Sequence, residues 1–249
     1  MGKRTVQLAQ VNRVYAGNAW LPYSAGIVQV NAEAQPDLRE VYRFASPLFM
    51  REYPSRVAKS LDSPNVLGIS CYIWNWEWSK ALAQEVRTRN PHSLIVMGGP
   101  QVPNWSDGFF KEHPYVDILV HGEGEVTFAN ILRERLRENP NYANVRGITL
   151  NQGGVSGRTQ PQPRATKNGR DKKGNPTPYL EEIPSPYLSG IFEELMGAHP
   201  ELGFNATSET HRGCPYSCTF CDWGSATYQH IEKFSDERVK AEYDWMSNH

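Results

Sequence analysis

VLGISCY (residues 66–72), SLIVMGGP (93–100) and VDILVHGEGE (116–125) are short apolar runs, each closed by small, polar or acidic residues. Runs of this length suit strands buried on both faces, with a turn at the carboxyl end of each. Between the first two, residues 79–87 are rich in helix formers, place Leu82 and Val86 on one face, and stop at Asn90-Pro91. Residues 106–112 and 125–138 also read as helices, the second with Phe128, Leu132 and Leu136 at spacing four. Residues 4–11 alternate and read as an earlier strand. Strand and helix in alternation imply a parallel sheet covered on both faces, so residues 1–150 are expected to form an α/β, doubly wound domain. Ligands of such sheets sit outside the carboxyl ends of the strands, here at residues 70–75, 98–102 and 121–125.

The bulk properties are those of an ordinary globular chain: 249 residues, 39% hydrophobic, 21% charged. Lys and Arg number 26 against 27 Asp and Glu, which leaves no electrostatic footprint for nucleic acid or an anionic membrane, and neither partner is expected. The amino-terminal MGKRTVQLAQVNRVY lacks an apolar core of signal-peptide length, and no stretch approaches the roughly 20 apolar residues of a membrane span, so a cytoplasmic location is expected.

Beyond residue 150 the composition turns to Gly, Pro, Gln, Lys and Asn. Residues 151–190 are expected to bury little and to act as a hairpin and linker before a second unit at 191–249. In that unit residues 202–210 read as a strand. Residues 235–247 read as a helix, with Ser235 as N-cap, Asp236 and Glu237 in the first turn, and an apolar stripe of Val239, Tyr243 and Met246.

Between strand and helix lies HRGCPYSCTFC (211–221), a C-x-x-x-C-x-x-C loop. Three thiolates so spaced can reach three irons of one [4Fe-4S] cluster and leave the fourth open to a small molecule. His211 could instead complete a Cys3His zinc site. Cys71, within an apolar strand, reads as a buried small hydrophobe. Gly213 suits a tight turn, Arg212 is either a solvated or ion-paired side chain or a neighbour of the cluster, and Asp222 and Trp223 either shape a pocket or pack in the core.

RGCPYSCTFCDWGSATY (212–228) and KFSDERVKAEYDWM (233–246) resemble the radical S-adenosylmethionine (SAM) superfamily, specifically the class with an amino-terminal cobalamin-binding domain. The resemblance covers nearly the whole chain. It implies a flavodoxin-like cobalamin-binding domain followed by the start of a partial (β/α) barrel. Cys214, Cys218 and Cys221 would be the cluster ligands, and Phe220 would pack near the adenine of SAM. The open iron would bind the amino and carboxylate groups of SAM, whose reductive cleavage yields a 5'-deoxyadenosyl radical. Ser70, Tyr72, Gly98, Gly99, Gly122, Glu123 and Gly124 would lie in the loops that hold the corrin ring and its nucleotide tail. The class also implies a small-molecule substrate, methyl transfer through cobalamin, and an electron donor such as flavodoxin or ferredoxin.

The D-x-H-x-x-G motif that gives cobalt a histidine ligand in many cobalamin proteins does not occur, so bound cobalamin is expected to lack a histidine from that motif. Taken singly, Gly98-Gly99-Pro100 is also an ordinary turn, residues 122–125 an ordinary helix start, and Trp74, Trp76 and Trp78 are packing residues as readily as pocket walls. The chain ends 28 residues after Cys221. Most of the barrel is therefore expected to be missing and independent catalysis is in doubt. A module that binds cobalamin or a cluster without turnover and a zinc-stabilised interaction domain are the alternatives.

Overall fold

The computed structural model describes residues 2–106, 108–216, 218–221 and 230–249. In chain order the elements are β1 (Arg4–Asn12), β2 (Asn18–Trp20), α1 (Tyr23–Glu33), α2 (Pro36–Val41), β3 (Tyr42–Phe44), β4 (Leu48–Met50), α3 (Pro54–Ser60) and β5 (Val66–Ser70). Then follow α4 (Trp76–Arg89), β6 (Leu94–Gly98), α5 (Phe109–Glu112), β7 (Ile118–Val120), α6 (Gly124–Arg135), β8 (Ile148–Gln152) and β9 (Val155–Arg158). The remainder is α7 (Ile191–Gly197), β10 (Gly203–Asn205), β11 (His211–Arg212), β12 (Glu232–Lys233) and α8 (Asp236–Asn248).

The main sheet runs β3-β1-β5-β6-β7-β8-β9, with β4 also set against β1. The strands from β3 to β7 in that order are all parallel. Numbered among themselves along the chain they give the order 2-1-3-4-5, the flavodoxin-like arrangement, whose switch point lies between β1 and β5. The hairpin β8-β9 extends the far side antiparallel.

Period-two alternation sorts the strand side chains into two layers. Leu67, Ile69, Ile95 and Met97 pack with Val57, Trp78, Leu82 and Val86 from α3 and α4. Val66, Leu94, Val96 and Ile118 pack with Ala25, Ala32, Phe128 and Leu132 from α1 and α6. A third cluster joins distant parts of the chain: Ala19, Leu21, Tyr23, Ile27 and Phe49 with Ala165, Leu180, Ile183, Tyr187, Phe192 and Phe234.

That cluster refines the reading of residues 151–190 as a segment that buries little: most of it is exposed or half-buried, but not all. Its apolar residues are sparse, but Ala165, Leu180, Ile183 and Tyr187 are all buried. A composition average misses this because the few apolar side chains fall where the outer face of α1 needs covering.

The stripe expected on α8 is also amended. Val239, Trp245 and Met246 pack against the third cluster, whereas Tyr243 is half exposed. The inward face includes Glu242, which is buried and paired with Arg238 at 3.0 Å, a polar residue that disguised the true face. The N-cap is as expected, Ser235 Oγ accepting from the Arg238 amide at 3.3 Å. Among the described residues no helix is long and apolar enough to cross a membrane.

Candidate functional site

The loops after β5, β6 and β7 lie side by side at the carboxyl edge of the sheet. Ser70 pairs with Gly98 in register, and the Cys71 amide donates to the Gly98 carbonyl at 2.7 Å. Gly98 in turn faces Val120, the last residue of β7. Ser70, Tyr72, Gly98, Gly99, Gly122, Glu123 and Gly124 are thus brought to one edge.

Asn75, buried, builds the loop at the switch point. Its Oδ1 accepts from the Tyr72 amide at 2.8 Å, and its Nδ2 donates to the carbonyls of Ser70 at 3.0 Å and Val11 at 3.2 Å. Across the switch point, Gln10 Oε1 accepts from the amides of Ser24 at 2.7 Å and Ala25 at 3.2 Å, serving the amino end of α1 in place of a local cap. The Tyr72 hydroxyl meets Ser24 Oγ at 2.5 Å. The Tyr72 ring stacks on Trp74 at 4.5 Å, and Trp74 Nε1 donates to Asn12 at 2.9 Å. Sequence reasoning singled out neither Gln10 nor Asn75, although a polar residue inside an apolar strand and an Asn ahead of a helix were the available signals.

The edge is apolar and open. Beyond β5 Ile73 is 78% exposed and Trp74 is half exposed. Trp76 and Trp78 turn into the core instead. Gly122, at φ +77°, has open space where a Cβ would stand. Gly99 behaves differently: its close backbone approach is to Cys71 within the sheet. An open edge lined by flat apolar side chains and a bare backbone suits a large planar ligand such as a corrin, so the residues present fit cobalamin.

His121 lies at the same edge, its Nε2 2.8 Å from Thr149 Oγ1. Burial, aided by the charge of Arg158, pushes its pKa down to about 4, so it is neutral near pH 7.

The cysteine loop is tied to this edge through Arg212. The guanidinium is buried and contacts Glu125 at 2.5 Å, Glu209 at 3.0 Å and Glu123 at 3.4 Å. Burial opposes its charge, but the carboxylates of Glu125, Glu209 and Glu123 outweigh that and raise its pKa. Glu123 also meets Arg164 at 3.2 Å and accepts from the Ala165 amide at 2.7 Å. It is therefore committed to joining segments of the chain. Burial pushes its carboxyl up, against the pull of Arg212. Tyr23 donates to Glu209 at 3.1 Å, its phenol pKa held well up by burial and then by that carboxylate.

Cys214 is half buried, and Cys218, Cys221 and Phe220 are exposed. The Cys221 amide donates to the Cys218 carbonyl at 3.2 Å. All are free thiols, with Cys71 buried and its pKa pushed by that burial to about 12. Among the described residues no three His, Cys, Asp or Glu side chains are gathered as a metal site. In donor chemistry, three uncommitted thiols on one short loop fit an iron-sulfur cluster. Asp222 and Trp223 lie outside the described residues.

A parallel sheet in the order 2-1-3-4-5 makes this an α/β protein of the flavodoxin-like class, with its ligand edge at the switch point. Residues 45–132 match the B12 binding domain family. The chain is 40% identical over 232 residues to the cobalamin-dependent radical SAM methyltransferase TokK of Streptomyces tokunonensis, a match covering 92% of this chain and 32% of that protein. It is 39% identical over 232 residues to the 2-(S-pantetheinyl)-carbapenam-3-carboxylate methyltransferase of Streptantibioticus cattleyicolor, with the same shares of each. The fold matches the cobalamin-dependent SAM radical enzyme OxsB with aqua-cobalamin bound, at TM-score 0.66 and 19% identity, over 98% of this chain and 32% of that one. The chain is similar to cobalamin-dependent radical SAM methyltransferases over 92% of its length, matches the B12 binding domain family over residues 45–132, and spans about a third of the length of the relatives it matches.

Proposed function

We propose that this chain takes part in cobalamin-dependent radical methyl transfer to a small-molecule substrate, with cobalamin at the switch-point edge and a [4Fe-4S] cluster on Cys214, Cys218 and Cys221. The observation that supports this reading is the buried ion-pair cluster of Arg212, two residues before Cys214, with Glu123 and Glu125 after β7. When bound, the corrin supplies a methyl carrier and the cluster an electron for SAM. The chain's own part is positional. Asn75 and Gln10 shape the floor of the edge, Tyr72, Ile73 and Trp74 offer apolar surface to the ring, and Gly122 leaves room for it. The three thiols hold iron and leave one iron free for SAM, with Phe220 beside the adenine. An electron donor such as flavodoxin or ferredoxin reduces the cluster.

The test is anaerobic reconstitution with iron, sulfide and hydroxocobalamin, followed by metal analysis, absorption spectroscopy and detection of 5'-deoxyadenosine after reduction in the presence of SAM. About four irons per chain, with bound cobalamin, support the reading. Zinc alone in purified protein, or no cobalamin retained, refutes it.

A further inference from the structure

We propose that Arg212 is a positioning residue that sets the cysteine loop in register with the carboxyl end of β7. The inference deepens the reading of that loop as the cluster site and, for its biological meaning, rests on it.

Arg212 is the last residue of β11, and Cys214 follows two positions later. The strand itself is a weak anchor, since β11 and β12 pair over only two residues. The strong constraint is the guanidinium. Its Nη2 reaches Glu125 Oε1 at 2.5 Å and Glu209 Oε2 at 3.0 Å, its Nε reaches Glu209 Oε1 at 3.2 Å, and its Nη1 lies 3.4 Å from Glu123 Oε2. Two of the carboxylates are fixed elsewhere, Glu123 by Arg164 and the Ala165 amide and Glu209 by Tyr23 of α1, while Glu125 stands in the first turn of α6. A planar fork held by three carboxylates, two of them tied to other segments, has little freedom to shift.

The next residue, Gly213, has φ +109°, a conformation that only glycine adopts readily. The chain therefore turns at once from a clamped side chain into the cysteine loop, and the clamp dictates where that turn begins. Glu123 and Glu125 flank the start of α6, directly after the edge assigned to cobalamin, so one cluster of charges fixes the spacing between the two cofactor regions.

The experiment follows iodoacetamide alkylation of each cysteine by peptide mass spectrometry, in the chain without iron or cobalamin. In Arg212→Gln the rate at Cys214 rises at least about fivefold as the loop comes free, while buried Cys71 stays protected. Arg212→Lys, a point charge without the fork, gives an intermediate rate. An unchanged Cys214 rate in folded Arg212→Gln overturns the proposal. Should that variant lose cooperative unfolding, Glu209→Gln, which leaves the guanidinium on Glu123 and Glu125, provides the same readout: a faster Cys214 rate supports the clamp and an unchanged one overturns it. Because the rates are read without cofactors, failure to bind cobalamin or iron bears on the proposed function and leaves this result standing.

Discussion

The backbone of Cys71 lies so close to Gly99 that a Cβ on Gly99 would stand 2.6 Å from the Cys71 carbonyl oxygen and 2.9 Å from its nitrogen. Gly99 also sits at φ +97°. Gly99→Ala thus meets steric overlap and backbone strain together, with a cost of about 2–4 kcal/mol expected in urea denaturation. Gly122→Ala, at φ +77° but facing open space, should cost only about 1 kcal/mol. Equal losses in the two variants would contradict this account of the edge.

Removing the Asn75 amide leaves the Tyr72 amide and the carbonyls of Val11 and Ser70 without their partner. Asn75→Ala is expected to lose about 1–3 kcal/mol of stability. Amide hydrogen exchange at Tyr72 should accelerate with it, and protection kept at the native level would show that the loop does not depend on Asn75.

How much of this was legible in the sequence depended on how many sides an element buries. β5, β6 and β7 bury both faces in one sheet, and their uninterrupted apolar runs announce it. Helix α1 was not assigned. It offers Ala25 and Ala32 to the layer under α6 and Tyr23, Ile27 and Val30 to the third cluster, so no single stripe stands out against a polar face. Gln10 and Asn75 look like interruptions until their backbone partners are in place. Ion pairing was one reading of Arg212, and Glu209 lies only three positions away, but its reach to Glu125, 87 positions away in the chain, had no local sign. The cysteine spacing needed no such context, since the three thiols occupy one short loop.

His121 makes a distinct contribution to acid sensitivity. Its folded pKa of about 4 lies below the ordinary value of 6.5, so the unfolded chain binds the extra proton between those limits. Its effect is absent above about pH 6.5, grows as a destabilisation as pH falls towards 4, and then levels off. After allowance for solvent screening this is on the order of 1–2 kcal/mol. His121→Gln should flatten the stability profile over that window relative to the parent chain, and identical profiles would remove His121 from the explanation.

The four cysteines should divide sharply in reactivity. Alkylation of the native chain at pH 8 is expected to modify Cys218 and Cys221 first, Cys214 more slowly, and Cys71 only after unfolding, because its thiol is buried with a pKa near 12. Cys218→Ala should abolish cluster assembly, whereas Cys71→Ala should preserve it. Full iron retention in Cys218→Ala would dismiss the cluster assignment.

Electron paramagnetic resonance of bound Co(II) cobalamin should show no histidine nitrogen coupling. The histidine at the sheet edge, His121, has its Nε2 engaged by Thr149 at 2.8 Å. A clear histidine signal, lost in His121→Gln, would reverse this conclusion.

The parallel pairing of β2 with β10 has a consequence for the order of events during synthesis. Between Trp20 and Gly203 the ribosome adds about 180 residues, which at ~5–20 residues per second takes roughly 10–40 s. For most of that interval, until residues 180–195 are made, Ala19, Leu21 and the outer face of α1 lack those later partners. The central parallel strands and their helices can assemble in the meantime, but this apolar face stays adhesive until residues 180–195 emerge to cover it.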